Sequence, residues 1–330
     1  MKKKCLVTGS TAVLGSAFKD LLKSQNNSDF INDIDYVFVG SKDCDLVNKD
    51  SVYKFFDENK FSYVIHLAAI SGGLGLSGKK FQSTLFYKNV SMMLNILEAS
   101  KDFKIEKLLL TLSTGMYSPD LAMPYKEKDI HSGSAHDGLY GYYYAKRMME
   151  PALRAYRDQY DMNIIGLVPN GIFGENDNFD LNGAPLVPAL IRKFFEAKEN
   201  NKDIEVWGDG SPLREWTYSK DMARAFLWCF ENYNSDKILN VGSIEENSVK
   251  EITYLISDII GFDKLKIKFD TTKPKGVLKK STDNSEFVKV SNFKYTTFKE
   301  GLKKTIEWYL SNKNSSDNWR YNSFTEFEKK

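Results

Sequence analysis

The first twenty-two residues constrain the chain more than any other stretch. Residues 4–7 form a short apolar run. Thr8-Gly9-Ser10-Thr11-Ala12-Val13-Leu14-Gly15 comes next as a glycine-bracketed turn, and Ala17, Phe18, Leu21 and Leu22 then recur at helical spacing. A strand led by a tight glycine turn into a helix opens a βαβ unit, and the free N–H groups at that helix N-terminus suit a pyrophosphate. Glycine also serves tight turns for steric reasons alone, so the turn takes its meaning from the strands and helices downstream of it. Ala12 stands where a third glycine is expected, and its methyl is expected to crowd the phosphates.

Further buried-strand candidates lie at 36–39, 63–67, 107–112 and 163–168, with helical patterns at 50–58, 81–100 and 142–159 between them. This alternation predicts an α/β chain: a Rossmann-type, doubly wound parallel sheet with a smaller C-terminal substrate-binding lobe. Beyond Pro169 the rhythm breaks into Asn/Asp/Gly/Pro-rich text at 174–188 and 207–214. These read as loops of the second lobe over the strand ends, where α/β proteins bind ligands. The division expected is 1–173 with a returning segment 216–245 for the dinucleotide, and 174–215 with 246–330 for the substrate. The tail after Asn312 is expected to fray.

Composition narrows the partners. Lys and Arg number 46 against 44 Asp and Glu, a net charge of +2, too weak a field for a nucleic-acid or membrane-surface protein. No apolar run reaches the roughly 18–20 residues of a spanning helix, and none has a signal-peptide layout. Cys5, Cys44 and Cys229 are too few and too scattered for a disulfide framework or a zinc cage. A reducing, cytoplasmic compartment is expected.

Two motifs carry chemistry. An acidic residue at the end of the second strand selects NAD by bonding the ribose 2′-OH. Here Val39 leads into Gly40-Ser41-Lys42; a hydroxyl and an ammonium suit a 2′-phosphate, which favours NADPH, although Lys42 also reads as a solvated loop lysine. The second motif is Tyr142-Tyr143-Tyr144-Ala145-Lys146, with Ser113 at the end of the fourth strand. Tyr142 and Lys146 share a helix face at i, i+4. A nearby ammonium stabilises phenolate, so the tyrosine pKa is expected below its usual value of about 10. Tyrosine then exchanges a proton with a carbonyl or alcohol while a nicotinamide exchanges hydride, and the serine hydroxyl holds the same oxygen. Tyr143 and Tyr144 read as packing.

With these residues the chain resembles the extended short-chain dehydrogenase/reductases of the NAD-dependent epimerase/dehydratase superfamily, and among them the GDP-L-fucose synthase family. The landmarks are Val64-Ile65-His66-Leu67-Ala68-Ala69, Gly72-Gly73, Tyr142 to Lys146-Arg147, Asp177-Asn178-Phe179, Val187-Pro188-Ala189-Leu190, Val206-Trp207-Gly208, Pro212-Leu213-Arg214-Glu215 and Asp270-Thr271-Thr272-Lys273-Pro274. The resemblance implies a cofactor contacting residues 9–15, Ser41, Lys42, Leu67, Ala68, Ala69, Tyr142, Lys146, Pro169, Asn170 and Ile172. It implies a substrate pocket with Asn178 and Lys193, Trp207 against the guanosine, and Arg214 and Lys280 at the diphosphate or ribose. Lys280 also reads as one charge of a basic loop at 273–280. A homodimer through helices 81–100 and 142–159 is implied as well.

Members of that family epimerise C3 and C5 of a GDP-4-keto-6-deoxy sugar and then reduce C4 with NADPH. Inverting a carbon next to a ketone requires acid/base groups at the sugar. The family places a Cys two residues after the catalytic Ser and a His three residues before the Pro-Ala-Leu segment. Those positions are Gly115 and Pro185 here, and the sequence offers no substitute, since its histidines are His66, His131 and His136. Gly171 replaces a family Asn, which predicts a wider pocket and opens the choice between a hexose and a heptose. The expectation is an NADPH-dependent C4-ketoreductase of a GDP-4-keto-6-deoxy sugar, with any epimerisation left to a separate enzyme and the product feeding a surface polysaccharide. Three alternatives stand beside it: a bifunctional synthase using other groups such as water or Tyr117, a 4-epimerase that recycles NAD, and an NADP-binding sensor or scaffold without turnover.

Overall fold

The structure is a computed structural model describing residues 2–23, 28–72, 79–273 and 277–313. Gly73, Pro274, the middle of the basic loop and the tail from 314 onward lie outside the described residues.

The chain lays down β1 (Lys3–Thr8), α1 (Val13–Lys23), α2 (Asp29–Asn32), β2 (Ile34–Val39), α3 (Lys49–Asn59), β3 (Tyr63–His66), α4 (Gln82–Asp102) and β4 (Lys107–Thr111). Then come α5 (Tyr140–Arg147), α6 (Met149–Tyr160), β5 (Ile164–Pro169), β6 (Gly171–Phe173), α7 (Leu186–Glu199), β7 (Ile204–Trp207), β8 (Leu213–Tyr218) and α8 (Ser219–Asn232). The last elements are β9 (Leu239–Val241), β10 (Glu246–Ser248), α9 (Val249–Ile260), β11 (Ile267–Asp270), β12 (Lys279–Lys280), α10 (Ser285–Ser291) and α11 (Phe298–Asn312).

Six strands form one parallel sheet in the order β2-β1-β3-β4-β5-β9. Successive side chains of a strand point to opposite faces, and the sheet separates two cores accordingly. Leu6, Val64, Leu108, Leu110 and Ile164 pack toward α3, α4 and α6. Cys5, Val7, Ile65, Leu109 and Ile165 pack toward α1 and α8. The strand order reverses between β1 and β3, which fixes a crevice at their carboxyl ends.

A third core, from Phe194, Ile252, Ile256, Phe298, Leu302 and neighbours on α7, α9 and α11, belongs to the C-terminal half. Its helices are well started: Ser248 with Glu251 and Thr297 with Glu300 form capping boxes. A smaller sheet, β10-β8-β12 with β6 on β8, brings residues 279–280 beside 213–214.

The helix expected over 142–159 is two helices, α5 starting at Tyr140 and α6 starting at Met149. Pro151 lacks the N–H that would continue the ladder to Arg147. The expected loop 174–188 is cut short because α7 begins at Leu186.

Candidate active site

The crevice between β1 and β3 is cross-tied at its floor. Thr8 Oγ1 and His66 Nδ1 are hydrogen-bonded at 2.9 Å, and the Ala68 N–H donates to Thr8 Oγ1 at 3.1 Å. Burial and the nearby Lys146 charge push His66 down to about 3, so it stays a neutral structural group. Gly9 has φ +73°, and a Cβ on it would lie 2.8 Å from the Ala68 amide nitrogen. A Cβ on Gly15 would lie 2.3 Å from the Gly9 carbonyl oxygen. Both glycines are therefore required by close approach, which brings the first turn of α1 and its N-terminal amides to the strand ends.

Around this turn Ser10, Leu14 and Leu67 are buried, Ala12, Val13 and Ala68 are half-buried, and Thr11 and Ala69 are exposed. At the end of β2, Ser41 and Lys42 are exposed. The next residue is acidic but does not stand free, because the Asp43 carboxylate accepts the Gly40 N–H at 2.8 Å. A helix N-terminus for the pyrophosphate and an exposed hydroxyl–ammonium pair at β2 fit a dinucleotide with a 2′-phosphate.

Ser113 leaves β4 and caps the 3-10 turn Thr114–Met116, its Oγ accepting the Gly115 N–H at 3.3 Å. Tyr142 and Lys146 come from α5, both buried. The Lys146 ammonium donates to the Thr111 carbonyl at 2.7 Å and sits 5.9 Å from the centre of the Tyr142 ring. The expected depression of the tyrosine is not what these groups produce. Burial pushes Tyr142 up to about 12, against the pull of hydrogen bonds with Ser113 and Ser71. Burial also pushes Lys146 down to about 7. The physical reason is that the ammonium is turned to the β4 carbonyl within a dry pocket, where desolvation outweighs its attraction for phenolate.

Gly115 is buried in the 3-10 turn. Arg147 anchors this turn, donating from Nε to the Met116 carbonyl at 2.8 Å and from Nη1 to the Gly133 carbonyl at 2.7 Å. Pro185 is the N-cap of α7. Neither Gly115 nor Pro185 carries a titratable atom. Sequence reasoning missed His136, which its position gives no reason to place here. Its backbone N–H donates to the Gly115 carbonyl at 3.3 Å, and its ring meets Tyr143 edge-on at 6.0 Å. Nδ1 accepts the Gly138 N–H at 3.0 Å. Burial, then the charges of Lys280 and Arg214, push the imidazole below its usual pKa.

On the substrate side, Arg214 and Lys280 are register partners on β8 and β12. Lys193 lies 5.9 Å from the ring of Trp207, which is 48% exposed at the end of β7. Asn178 sits in a turn, its side-chain oxygen accepting the Asp180 N–H at 3.0 Å. Pro169 ends β5 and Ile172 lies in β6. Between them Asn170 is spent on the junction of the two halves: its amide donates to the Ser243 carbonyl at 2.8 Å and its oxygen accepts from Thr217 at 2.6 Å. The wider pocket expected at Gly171 is not there. A Cβ at that position would lie 2.6 Å from the Glu215 carbonyl oxygen and 2.8 Å from the Trp216 ring, so the indole already fills the space.

A parallel sheet with a glycine-turn crevice and a Ser–Tyr–Lys group at its strand ends defines a nucleotide-dependent oxidoreductase. Residues 5–242 match the NAD dependent epimerase/dehydratase family, and the chain belongs to that family. It is similar to the GDP-L-fucose synthase of Dictyostelium discoideum, with 35% identity over 314 residues covering 94% of this chain and 96% of that protein. A GDP-L-fucose synthetase from Naegleria fowleri, solved bound to NADP, superposes with a TM-score of 0.88 at 32% identity, covering 96% of each chain. The GDP-mannoheptose C4 reductase from Campylobacter jejuni, solved with NADP bound, superposes at 0.82 with 27% identity, covering 94% of this chain and 98% of that one.

Proposed function

We propose that the chain is an NADPH-dependent C4-ketoreductase of a GDP-linked 4-keto-6-deoxy sugar, hexose or heptose, without C3/C5 epimerase activity. One contrast carries the reading. Ser113 is hydrogen-bonded to Tyr142 beside Lys146, while two residues further on Gly115 offers no side chain. The NADP bound in two similar structures and the GDP-linked sugars for which the similar proteins are named support the cofactor and the substrate class.

NADPH supplies the hydride that C4 receives. Ser113 orients the carbonyl oxygen, and Tyr142 gives its phenolic proton to that oxygen as negative charge develops there, leaving an alcohol. A phenol held near 12 is fully protonated at neutral pH, which suits a proton donor. Lys146 then stands next to the phenolate and holds the cofactor ribose. Arg214 and Lys280 meet the diphosphate, and Trp207 with Lys193 meets the guanosine. Exposed Phe86, Tyr87 and Leu94 on α4, with Tyr140 and Tyr144 on α5, support a homodimer through those helices. Among the described residues no helix is long and apolar enough to cross a membrane. The reading places the enzyme in the cytoplasm, with a separate epimerase where its pathway needs one and a product destined for a surface polysaccharide.

Incubation in D₂O with a GDP-4-keto-6-deoxy sugar and no NADPH tests the reading. Exchange at C3 and C5 is expected to match a protein-free control, and NADPH added afterwards is expected to be oxidised. Exchange well above the control favours a second reading, a bifunctional synthase that uses other groups such as water or Tyr117, and His136, held below its usual pKa near Gly115, is a further candidate.

A further inference from the structure

Gly115 is not a glycine for the sake of its backbone. Its φ lies outside the left-handed region, so the main chain accepts an L side chain there. The obstacle is a ring. A Cβ on Gly115 would lie 1.9 Å from Tyr143 Cε1, 2.1 Å from Cδ1 and 2.3 Å from Cζ. Non-bonded carbons rest about 3.5–4.0 Å apart, so no adjustment of a few tenths of an ångström resolves this overlap. The ring would have to leave.

It is held where it is from three sides. The His136 ring meets it edge-on with an interplanar angle of 82°. The Lys280 ammonium lies over it, 5.7 Å from the centroid. The Tyr142 ring is 5.4 Å away. The Gly115 carbonyl accepts the His136 backbone N–H, so the turn is tied to the segment whose imidazole meets the ring.

We propose that Tyr143 is a specificity-determining residue: its ring occupies the volume that a proton-carrying side chain at position 115 needs, and so keeps that position from serving proton transfer at the carbons flanking the ketone. The proposal rests on the reductase reading above. It makes Gly115 and Tyr143 one matched pair rather than an isolated loss and a packing aromatic.

Gly115→Ala and Gly115→Cys, each alone and combined with Tyr143→Ala, test it. Gly115→Ala is expected to lower Tm by several degrees when Tyr143 is present and by little in the Tyr143→Ala background. A Gly115→Ala chain that fails to fold while the double variant folds is the strong form of the same result. Equal losses in both backgrounds overturn the proposal. In D₂O with a GDP-4-keto-6-deoxy sugar, exchange next to the ketone is expected to be at least tenfold faster in Gly115→Cys/Tyr143→Ala than in Gly115→Cys alone. Cys5, Cys44 and Cys229 are all buried and add no reactive thiol to the comparison. Equal exchange in the two, including none in either, overturns the role in specificity. Exchange by the unmodified protein instead sinks the reductase-only reading and leaves the steric coupling to be judged by the Tm cycle.

Discussion

Arg214 and Lys280 stand opposite each other in parallel register, so two cationic side chains leave neighbouring strands side by side. Burial, then the Arg214 charge, push Lys280 down to about 8, while Glu215 pulls it up. Burial also lowers Arg214. Such a pair is relieved by an anion carrying about two charges, and under the proposed reading that anion is the diphosphate of the sugar nucleotide.

Lys280→Met is therefore expected to raise KM for the GDP-sugar about tenfold or more with kcat little changed. The same variant is expected to raise Tm in the absence of substrate, because a desolvated charge facing another is removed. Between about pH 8 and the ordinary lysine value near 10.5 the unfolded chain binds more protons at this site than the folded one. Stability from this residue thus rises with pH across that window, and the variant loses the slope. Steady-state kinetics and thermal melts at several pH values check both parts. An unchanged KM removes Lys280 from the diphosphate site.

Tyr142→Phe is expected to lower kcat about a hundredfold to ten-thousandfold while leaving NADPH binding nearly unchanged, because the hydroxyl acts on the developing alkoxide. Single-turnover NADPH oxidation and a separate binding titration give the two readings. Near-normal turnover removes Tyr142 from the mechanism.

Lys42→Ala is expected to weaken NADPH about tenfold and leave NADH untouched, since the contact proposed for the ammonium is with the 2′-phosphate that NADH lacks. Fluorescence titration with both cofactors decides it. Equal affinities in the unmodified protein contradict the preference read from Ser41 and Lys42.

The sheet was legible because its signals are local. Apolar runs such as 63–66 and 107–111 with a glycine turn at residues 9–15 need no knowledge of distant residues. The Tyr142–Lys146 pairing was legible for the same reason, as a helical spacing. What escaped the sequence depends on long-range contact. His136 reaches Gly115 through a loop, and Tyr143 fills the room at Gly115 from a different element. Trp216 closes the space at Gly171 across a strand pair. The tyrosine pKa escaped because it depends on how dry the pocket is and where the ammonium points, which i, i+4 spacing leaves open. One boundary was within reach: Pro151 is plain in the sequence, and it divides α5 from α6.

Lys146 gives a prediction that separates cofactor binding from catalysis. With the protein groups alone its pKa is held near 7 by burial, so above neutral pH most molecules carry a neutral amine there. A dinucleotide phosphate in the crevice favours the charged form, and binding NADPH at pH 8 is expected to take up a proton. Cofactor affinity is accordingly expected to be greatest below about pH 7, where the ammonium already exists, and to decline as pH rises through that value. His66 in the floor, pushed down to about 3, is neutral throughout this range and contributes nothing. Calorimetric titration at pH 8 in two buffers of different ionisation enthalpy measures the uptake directly. Lys146→Met is expected to abolish it, whereas Lys280→Met is expected to leave it intact because the proposed reading sets Lys280 at the sugar nucleotide. Proton uptake that survives in Lys146→Met, or none in the unmodified protein, would show that Lys146 does not respond to the cofactor.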